Sequence, residues 1–416
     1  MLKRIVCCFL AMLLIMGGCT AMGENFYFSN AEQVEWYQDM LKDGMMSLGN
    51  NRRLKNVIRR AQAGEEITLA TIGGSITEGA GAKTYQECYA SRFAQGFTAR
   101  YGAGDGSNVR LVNAGVGGTA STFGLMRYQR DIVDRVQDAD GLPDLVIVEF
   151  SVNDYQEPTG HRCFESLVKT ILSQPNEPAV ILLFAVFQDG FNLQDELKKV
   201  GETYDLMMVS VKDAAYPHVG KEWTAEEFFF DEYHPTSFGH GVMADCLLAA
   251  VAAADAAEIN AQDIDLNVKP AYGTDYMGLI TLYGDGRWPD DVTVERGGFL
   301  HDDTQSYTNL PIGRVCGKNF CHFETDPAEP LRVSGKFKKL LIAWRATSEA
   351  RFGTAEIVVD GKVKRTLTGG EGKWGQSEVV MIWDSRTEAE DHVLEIRMAE
   401  GAENKRFTIT AIGIVQ

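Results

Sequence analysis

Between residues 67 and 254, short aliphatic runs alternate with longer amphipathic stretches. Residues 67–72 (ITLATI), 109–113 (VRLVN), 145–150 (LVIVEF), 179–186 (AVILLFAV) and 206–211 (LMMVSV) are largely apolar, and most are bounded by Gly, Pro or Asp. Short runs with so few polar alternates read as strands buried on both faces. Residues 85–101, 162–173 and 193–204 carry helical spacing, and the Ala- and Leu-rich stretch 236–257 reads as a closing helix. This alternation predicts an α/β fold: a five-stranded parallel sheet with helices on both faces, a three-layer α/β/α sandwich over residues 65–257. Two further helices, 31–48 and 52–63, are expected to pack before the first strand as an N-terminal helical segment spanning 24–64.

After residue 257 the pattern changes. Glycine-punctuated, alternating segments appear at 340–344, 355–359, 378–383, 392–398 and 407–414. Asp360-Gly361, between EIVV and KVKRTL, is a tight-hairpin signal. Several short strands at this spacing predict a second domain, a C-terminal β-sandwich over residues 266–416, with the acidic stretch 255–265 as the linker.

The N-terminus reads as an address rather than as fold. Lys3 and Arg4 precede an apolar run over residues 5–16, too short to cross ~30 Å of hydrocarbon comfortably. Met16-Gly17-Gly18-Cys19 follows and resembles a bacterial lipobox, which makes 1–19 a signal peptide and Cys19 the lipidated first residue of the mature chain. The expected location is the bacterial cell surface or periplasm, with membrane contact only through that anchor. Met16 is a less usual occupant of its lipobox position, so ordinary secretion stays open. Of eight cysteines, five lie beyond the signal: Cys88, Cys163, Cys246, Cys316 and Cys321. An odd number at irregular spacing is no disulfide framework, although Cys316 and Cys321 could close a short loop or stay as two thiols.

With 416 residues, 45% of them hydrophobic, the chain has the composition of a globular protein of about two domains. The formal net charge is −18, of which −14 falls on residues 1–264 and −4 on 265–416. So negative a surface offers no footprint for phosphate backbones, which excludes nucleic acid as a partner. No CxxC, HExxH or EF-hand pattern occurs, so no metal site is expected.

In an open parallel sheet, ligands bind beyond the carboxyl ends of the strands. The expected strands run into Gly73-Gly74-Ser75-Ile76-Thr77, Ala114-Gly115-Val116-Gly117-Gly118 and Ser151-Val152-Asn153-Asp154, and Asp231-Glu232-Tyr233-His234 stands before the last helix. Each cluster offers a different catalytic part. Ser75 is a candidate nucleophile that needs a base. His234 is a candidate base, and Asp231, three residues before it, is positioned to hold its tautomer. Asn153, Gly118 and the Ser75 N–H are candidate oxyanion donors. Singly, each has a bland alternative: a helix cap for Ser75, an Asx-turn for Asn153-Asp154, a strand end for Gly117-Gly118.

The ordered set IGGSITEG, NAGVGGTAS, VEFSVNDY, DEYHPTSFGH resembles the SGNH (GDSL-type) hydrolase superfamily over roughly residues 65–254. Two departures stand out: Gly74 where the signature has Asp, and Ser151 where Gly often precedes the Asn-Asp pair. The resemblance implies an SGNH (flavodoxin-like) sheet and a cofactor-free serine esterase. It assigns Ser75, Asp231 and His234 as the triad and Ser75, Gly118 and Asn153 as oxyanion donors. An acidic, anchored enzyme with an appended sandwich is similar to bacterial carbohydrate acetylesterases, so an acylated carbohydrate or another small ester is the expected substrate. The alternatives are another acyl substrate, acyl transfer, or a glycan-binding lipoprotein without catalysis. Trp344, Trp374 and Trp383 could stack on sugar rings or belong to the sandwich core.

Overall fold

The computed structural model describes residues 31–136, 141–304, 318–372 and 377–416. The expected signal peptide with Cys19, and also Cys316 and Trp374, lie outside the described residues. The helices are α1 (Ala31–Asp43), α2 (Arg52–Gln62), α3 (Ser75–Glu78), α4 (Tyr89–Tyr101), α5 (Ser121–Asp131), α6 (Arg162–Leu172), α7 (Gln194–Thr203), α8 (Val211–Ala214), α9 (Ala225–Phe228) and α10 (Ser237–Ala256).

Strands β1 (Ile67–Gly73), β2 (Val109–Gly115), β3 (Leu145–Glu149), β4 (Ala179–Phe184) and β5 (Met207–Ser210) form a parallel sheet in the order β2-β1-β3-β4-β5. Strands β1, β3, β4 and β5 are buried at every position, which is why they read as apolar runs. On one face Ala70, Ile72, Val146, Val148, Val180 and Leu182 share a core with residues of α5, α6 and α7. Helices α2, α4 and α10 pack against one another and meet the sheet at β1, β4 and β5. Helix α10 is apolar enough to cross a membrane by length and composition, and most of it is buried in the protein.

Three local departures from the expected elements have physical causes. Helix α1 stops at Asp43 instead of reaching residue 48. A Cβ at Gly44 would lie 2.8 Å from the Ala214 Cβ. The chain beyond it extends along β5, where Ser47 and Met208 exchange backbone hydrogen bonds of 3.1 and 2.8 Å and cover the sheet edge. The expected helix 85–101 breaks at Cys88, whose ψ of 155° is extended, leaving a 3₁₀ turn at Tyr85–Glu87 before α4. Helix α5 has no counterpart in the sequence pattern. Its Gly124 approaches the Phe150 ring so closely that a Cβ would come within 2.6 Å of it.

The second region forms two antiparallel sheets. One joins β13 (Ser377–Asp384), β10 (Lys339–Arg345), β15 (Phe407–Val415) and β6 (Ile280–Leu282), with β8 (Phe320–His322) also on β15. The other joins β12 (Lys362–Thr368), β11 (Thr354–Val359), β14 (Glu390–Met398), β9 (Leu331–Phe337) and β7 (Thr293–Glu295). The expected hairpin is present, with positive φ at both Asp360 and Gly361, as a type I′ turn requires. Strands β6, β7 and β8 have three residues each, too few to carry a period.

Strand β10 has an apolar run for a different reason from β1. Leu340 and Ile342 enter the sandwich core, whereas Leu341 and Ala343 enter the core of the parallel-sheet domain. Strand β15 divides likewise, with Ile412 and Ile414 on one side and Ala411 and Val415 on the other. The two-residue period of a strand thus serves two cores at once. Trp344 and Trp383 are partly buried against the sandwich core.

The stretch expected as a linker is strapped down. Asn51 and Asn260 exchange backbone-to-side-chain hydrogen bonds of 3.0 Å, and Arg53 pairs with Asp263 at 2.8 Å. Further on, the buried Glu165 carboxylate accepts the backbone N–H groups of Ala271, Tyr272 and Gly273 at 2.8, 2.6 and 2.8 Å. Arg162 adds ion pairs to Asp275 and Asp384 at 2.8 and 2.6 Å.

Candidate active site

The parallel register brings Gly73 opposite Gly115 on one side and Glu149 on the other. The loops after β1, β2 and β3 therefore leave the sheet at one level, at the switch point where strand order reverses. Glycine is required for this convergence. A Cβ at Gly73 would lie 2.5 Å from the Glu149 carbonyl oxygen, and one at Gly115 would lie 2.1 Å from the Glu78 nitrogen. Ser75 opens the single turn α3, so its N–H belongs to the unpaired donors of a helix start.

The histidine arrives on a tight loop. Phe229 bridges Pro235, and the Phe230 N–H donates to the His234 carbonyl at 2.8 Å. Asp231 closes the turn, its Oδ1 accepting the N–H groups of Tyr233 and His234 at 2.8 and 2.9 Å. The same carboxylate lies 2.9 Å from His234 Nδ1 through either oxygen, and His234 Nε2 lies 2.9 Å from Ser75 Oγ. An acceptor-only carboxylate at Nδ1 calls for the proton there, which leaves the Nε2 lone pair facing the serine hydroxyl. Partial burial pushes the Asp231 carboxyl up, but the hydrogen bonds from His234 and the backbone outweigh it and hold the group below its usual range.

Asn153 follows β3, and its side chain lies against Gly74: a Cβ there would be 2.2 Å from Oδ1 and 3.1 Å from Nδ2. Oδ1 is buried without a hydrogen-bond partner among the described residues. Gly118 has φ of 65°, in the left-handed region natural to glycine. Its loop is tied to α3 because the Gly117 N–H donates to Glu78 Oε2 at 2.7 Å. Among the described residues the N–H groups of Ser75 and Gly118 and the Asn153 amide donate no hydrogen bond. Ser75, His234 and Asp231 thus form one hydrogen-bonded line, Asn153 lies against the neighbouring Gly74, and Gly117, next to Gly118, is tied to α3 through Glu78.

Residues 71–242 match the model of the GDSL-like lipase/acylhydrolase family. Those residues form a GDSL-like domain. No curated protein matches the chain. Among solved structures, a two-domain esterase active on acetylated mannans is similar over 90% of this chain and 97% of its own, with 24% identity and a TM-score of 0.75. A structure of a two-domain esterase active on acetylated mannans, co-crystallised with mannopentaose, aligns over the same shares with 24% identity and a TM-score of 0.74. The likeness is one of fold, and it spans the GDSL domain and the sandwich together.

Several groups that hold this GDSL site in place have no local signal in the sequence. Arg127, fully buried on α5, donates to the Gly73 carbonyl at 2.9 Å and to that of Ala114, bracing the ends of β1 and β2. Asp154 caps α5 from outside, its oxygens accepting the Ser121 N–H and hydroxyl at 2.7 and 2.6 Å. Thr77 also braces the site. Its hydroxyl donates to Glu149 at 3.0 Å and meets the Tyr89 hydroxyl at 2.8 Å, under the turn that carries Ser75. Burial pushes the Glu149 carboxyl up to about 7, with the Thr77 bond opposing.

His240, on α10, is fully buried. Nδ1 accepts the Tyr89 N–H at 3.2 Å and Nε2 donates to the Ala80 carbonyl at 3.0 Å, so the ring is neutral and clasps the segment just after α3. Burial pushes its pKa down to about 4. A folded value below the unfolded one gives stability that is complete above the unfolded pKa of about 6.5 and is lost as pH falls. Between pH 6.5 and 4, the native protein is expected to lose on the order of 2–3 kcal/mol more than His240→Gln, whose amide carries a donor and an acceptor but does not titrate. Urea denaturation of both proteins across that range checks the difference.

Proposed function

We propose that the protein is a serine esterase that removes small acyl groups, acetyl above all, from a polysaccharide or oligosaccharide. The observation that carries this reading is the line Asp231–His234–Ser75, with 2.9 Å at each junction, beside three N–H donors without partners among the described residues. Ser75 Oγ attacks the acyl carbon as His234 Nε2 takes its proton, and Asp231 stabilises the imidazolium. The oxyanion receives hydrogen bonds from the Ser75 and Gly118 N–H groups and the Asn153 amide. His234 then gives its proton to the leaving sugar hydroxyl, the ester bond to the sugar breaks, and the acyl group remains on Ser75. Water, deprotonated by the same histidine, releases it as the free acid.

The carbohydrate half of the reading draws on the fold shared with an esterase active on acetylated mannans. It also draws on the acidity of the chain, which disfavours anionic substrates by steering. The basic start, the apolar run and Cys19 add the proposal that the enzyme is lipid-anchored outside the cytoplasm. The deciding experiment pairs fluorophosphonate labelling with acetate release from a panel of acetylated glycans. The expected result is labelling of the native protein at Ser75 and release of acetate from at least one glycan. Labelling with turnover confined to p-nitrophenyl esters would move the substrate to another acyl class, and no labelling would favour a glycan-binding protein without catalysis.

A further inference from the structure

The loops around the catalytic groups carry more aromatic surface than folding needs. Among the described residues, all the exposed aromatic rings of substantial size lie here: Tyr155 at 60%, Phe191 at 36%, Phe230 at 68% and Tyr233 at 39%. Tyr155 follows Asn153 by two residues, and Tyr233 adjoins His234. Single exposed apolar residues are ordinary, but a contiguous cluster at the mouth of a site marks a binding surface. Tyr155, Phe191 and Tyr233 are contiguous through Phe187. Tyr155 meets Phe191 edge-on with centroids 6.2 Å apart, Phe191 stacks with Phe187 at 5.9 Å, and Phe187 meets Tyr233 edge-on at 5.1 Å. Tyr233 in turn stands edge-on to the His234 ring at 6.2 Å. The row therefore runs from the oxyanion loop to the catalytic histidine without a break.

The backbone beneath the row is fixed. The Gln188 N–H donates to the Glu232 carbonyl at 3.1 Å, which ties the loop after β4 to the histidine loop. The Leu193 N–H donates to the Ser151 carbonyl at 2.8 Å, which ties it to the oxyanion loop. Within the β4 loop, the Phe187 N–H donates to the Phe191 carbonyl at 3.0 Å and the Phe191 N–H to Asp189 at 2.8 Å. The rings thus stand on three loops joined into one rim, presenting rigid faces at low entropic cost.

We propose that Tyr155, Phe191 and Tyr233 are a stacking rim for the sugar rings that flank the acylated residue, and that this rim sets the preference for glycan-borne esters over simple ones. The inference rests on the esterase reading above and adds the residues that choose its substrate. Pyranose rings present flat C–H faces that pack on aromatic faces, while their hydroxyls stay in water; the tyrosine hydroxyls and the acidic Asp189 and Glu232 beside the row suit such a half-wet ligand. A long acyl chain would instead seek an enclosed apolar channel, and these rings are open to solvent.

The test compares the native protein, Tyr155→Ala/Phe191→Ala, and the conservative Tyr155→Phe/Phe191→Tyr. Each is assayed on acetylated manno-oligosaccharides, p-nitrophenyl acetate and p-nitrophenyl octanoate. The expected result is at least a tenfold fall, mainly through KM, in the ratio of kcat/KM on the oligosaccharide to that on p-nitrophenyl acetate in the alanine pair. The conservative pair restores the ratio. An unchanged ratio would overturn the proposal, and a fall confined to the octanoate would reassign the rim to the acyl chain. Calorimetric binding of the same oligosaccharides to Ser75→Ala, with and without the alanine pair, reads the rim without turnover. Equal affinities would again reject it, whereas absence of p-nitrophenyl acetate hydrolysis by the native protein would reject the esterase reading alone.

Discussion

Ser75→Ala is expected to lower kcat on p-nitrophenyl acetate by on the order of a thousandfold or more, with fluorophosphonate labelling abolished and the melting temperature nearly unchanged. The chemical loss is large because no other hydroxyl meets His234 Nε2 among the described residues, and without Oγ no acyl-enzyme forms. The structural loss is small because Ser75 heads a one-turn helix and its hydroxyl has only the histidine for a partner among the described residues. Residual hydrolysis is expected from the oxyanion donors, which remain in place to polarise a carbonyl for attack by water. Turnover near the native rate in this variant would show that another residue is the nucleophile. A collapse in melting temperature would show instead that the Ser75–His234 bond holds the histidine loop to the sheet.

Much of this site was legible because catalysis imposes local demands that leave local traces. Gly73-Gly74-Ser75 follows an apolar run because the chain must turn sharply at a strand end, and Asp231 precedes His234 by three because one tight turn serves both. The order of four motifs around one sheet edge was likewise a product of the parallel topology. What stayed hidden depends on contacts far apart in sequence. Arg127 sits on a helix that left no pattern in the sequence, and beside its bond to Asp131 its guanidinium reaches Gly73 and Ala114. Asp154 looked like a cap for its own loop and caps the helix beginning at Ser121. Strand β10 looked like any alternating strand, but Leu341 and Ala343 belong to the other domain's core, a fact that no single-segment pattern encodes.

The absence of the signature Asp at position 74 gives the second large expected effect. Gly74 leaves room for the Asn153 amide, which occupies the space a Cβ would take and whose Oδ1 is buried. In the proposed mechanism Nδ2 is then the part of the amide that donates to the oxyanion. Asn153→Ala is expected to cost about 3–4 kcal/mol of transition-state stabilisation with KM little changed, as the loss of one oxyanion donor does elsewhere. Gly74→Ala is expected to cost nearly as much, on the order of a hundredfold in kcat, although no donor is removed. A Cβ 2.2 Å from Oδ1 displaces the side chain, and the displaced atom is the tip of a side chain rather than backbone, so the melting temperature should move little. The decisive measurement is the double variant. If both changes act through one amide, Gly74→Ala/Asn153→Ala should be no slower than Asn153→Ala, because the second lesion finds its target already gone. Full additivity in kcat would separate the two and place the role of Gly74 in the backbone of the serine turn.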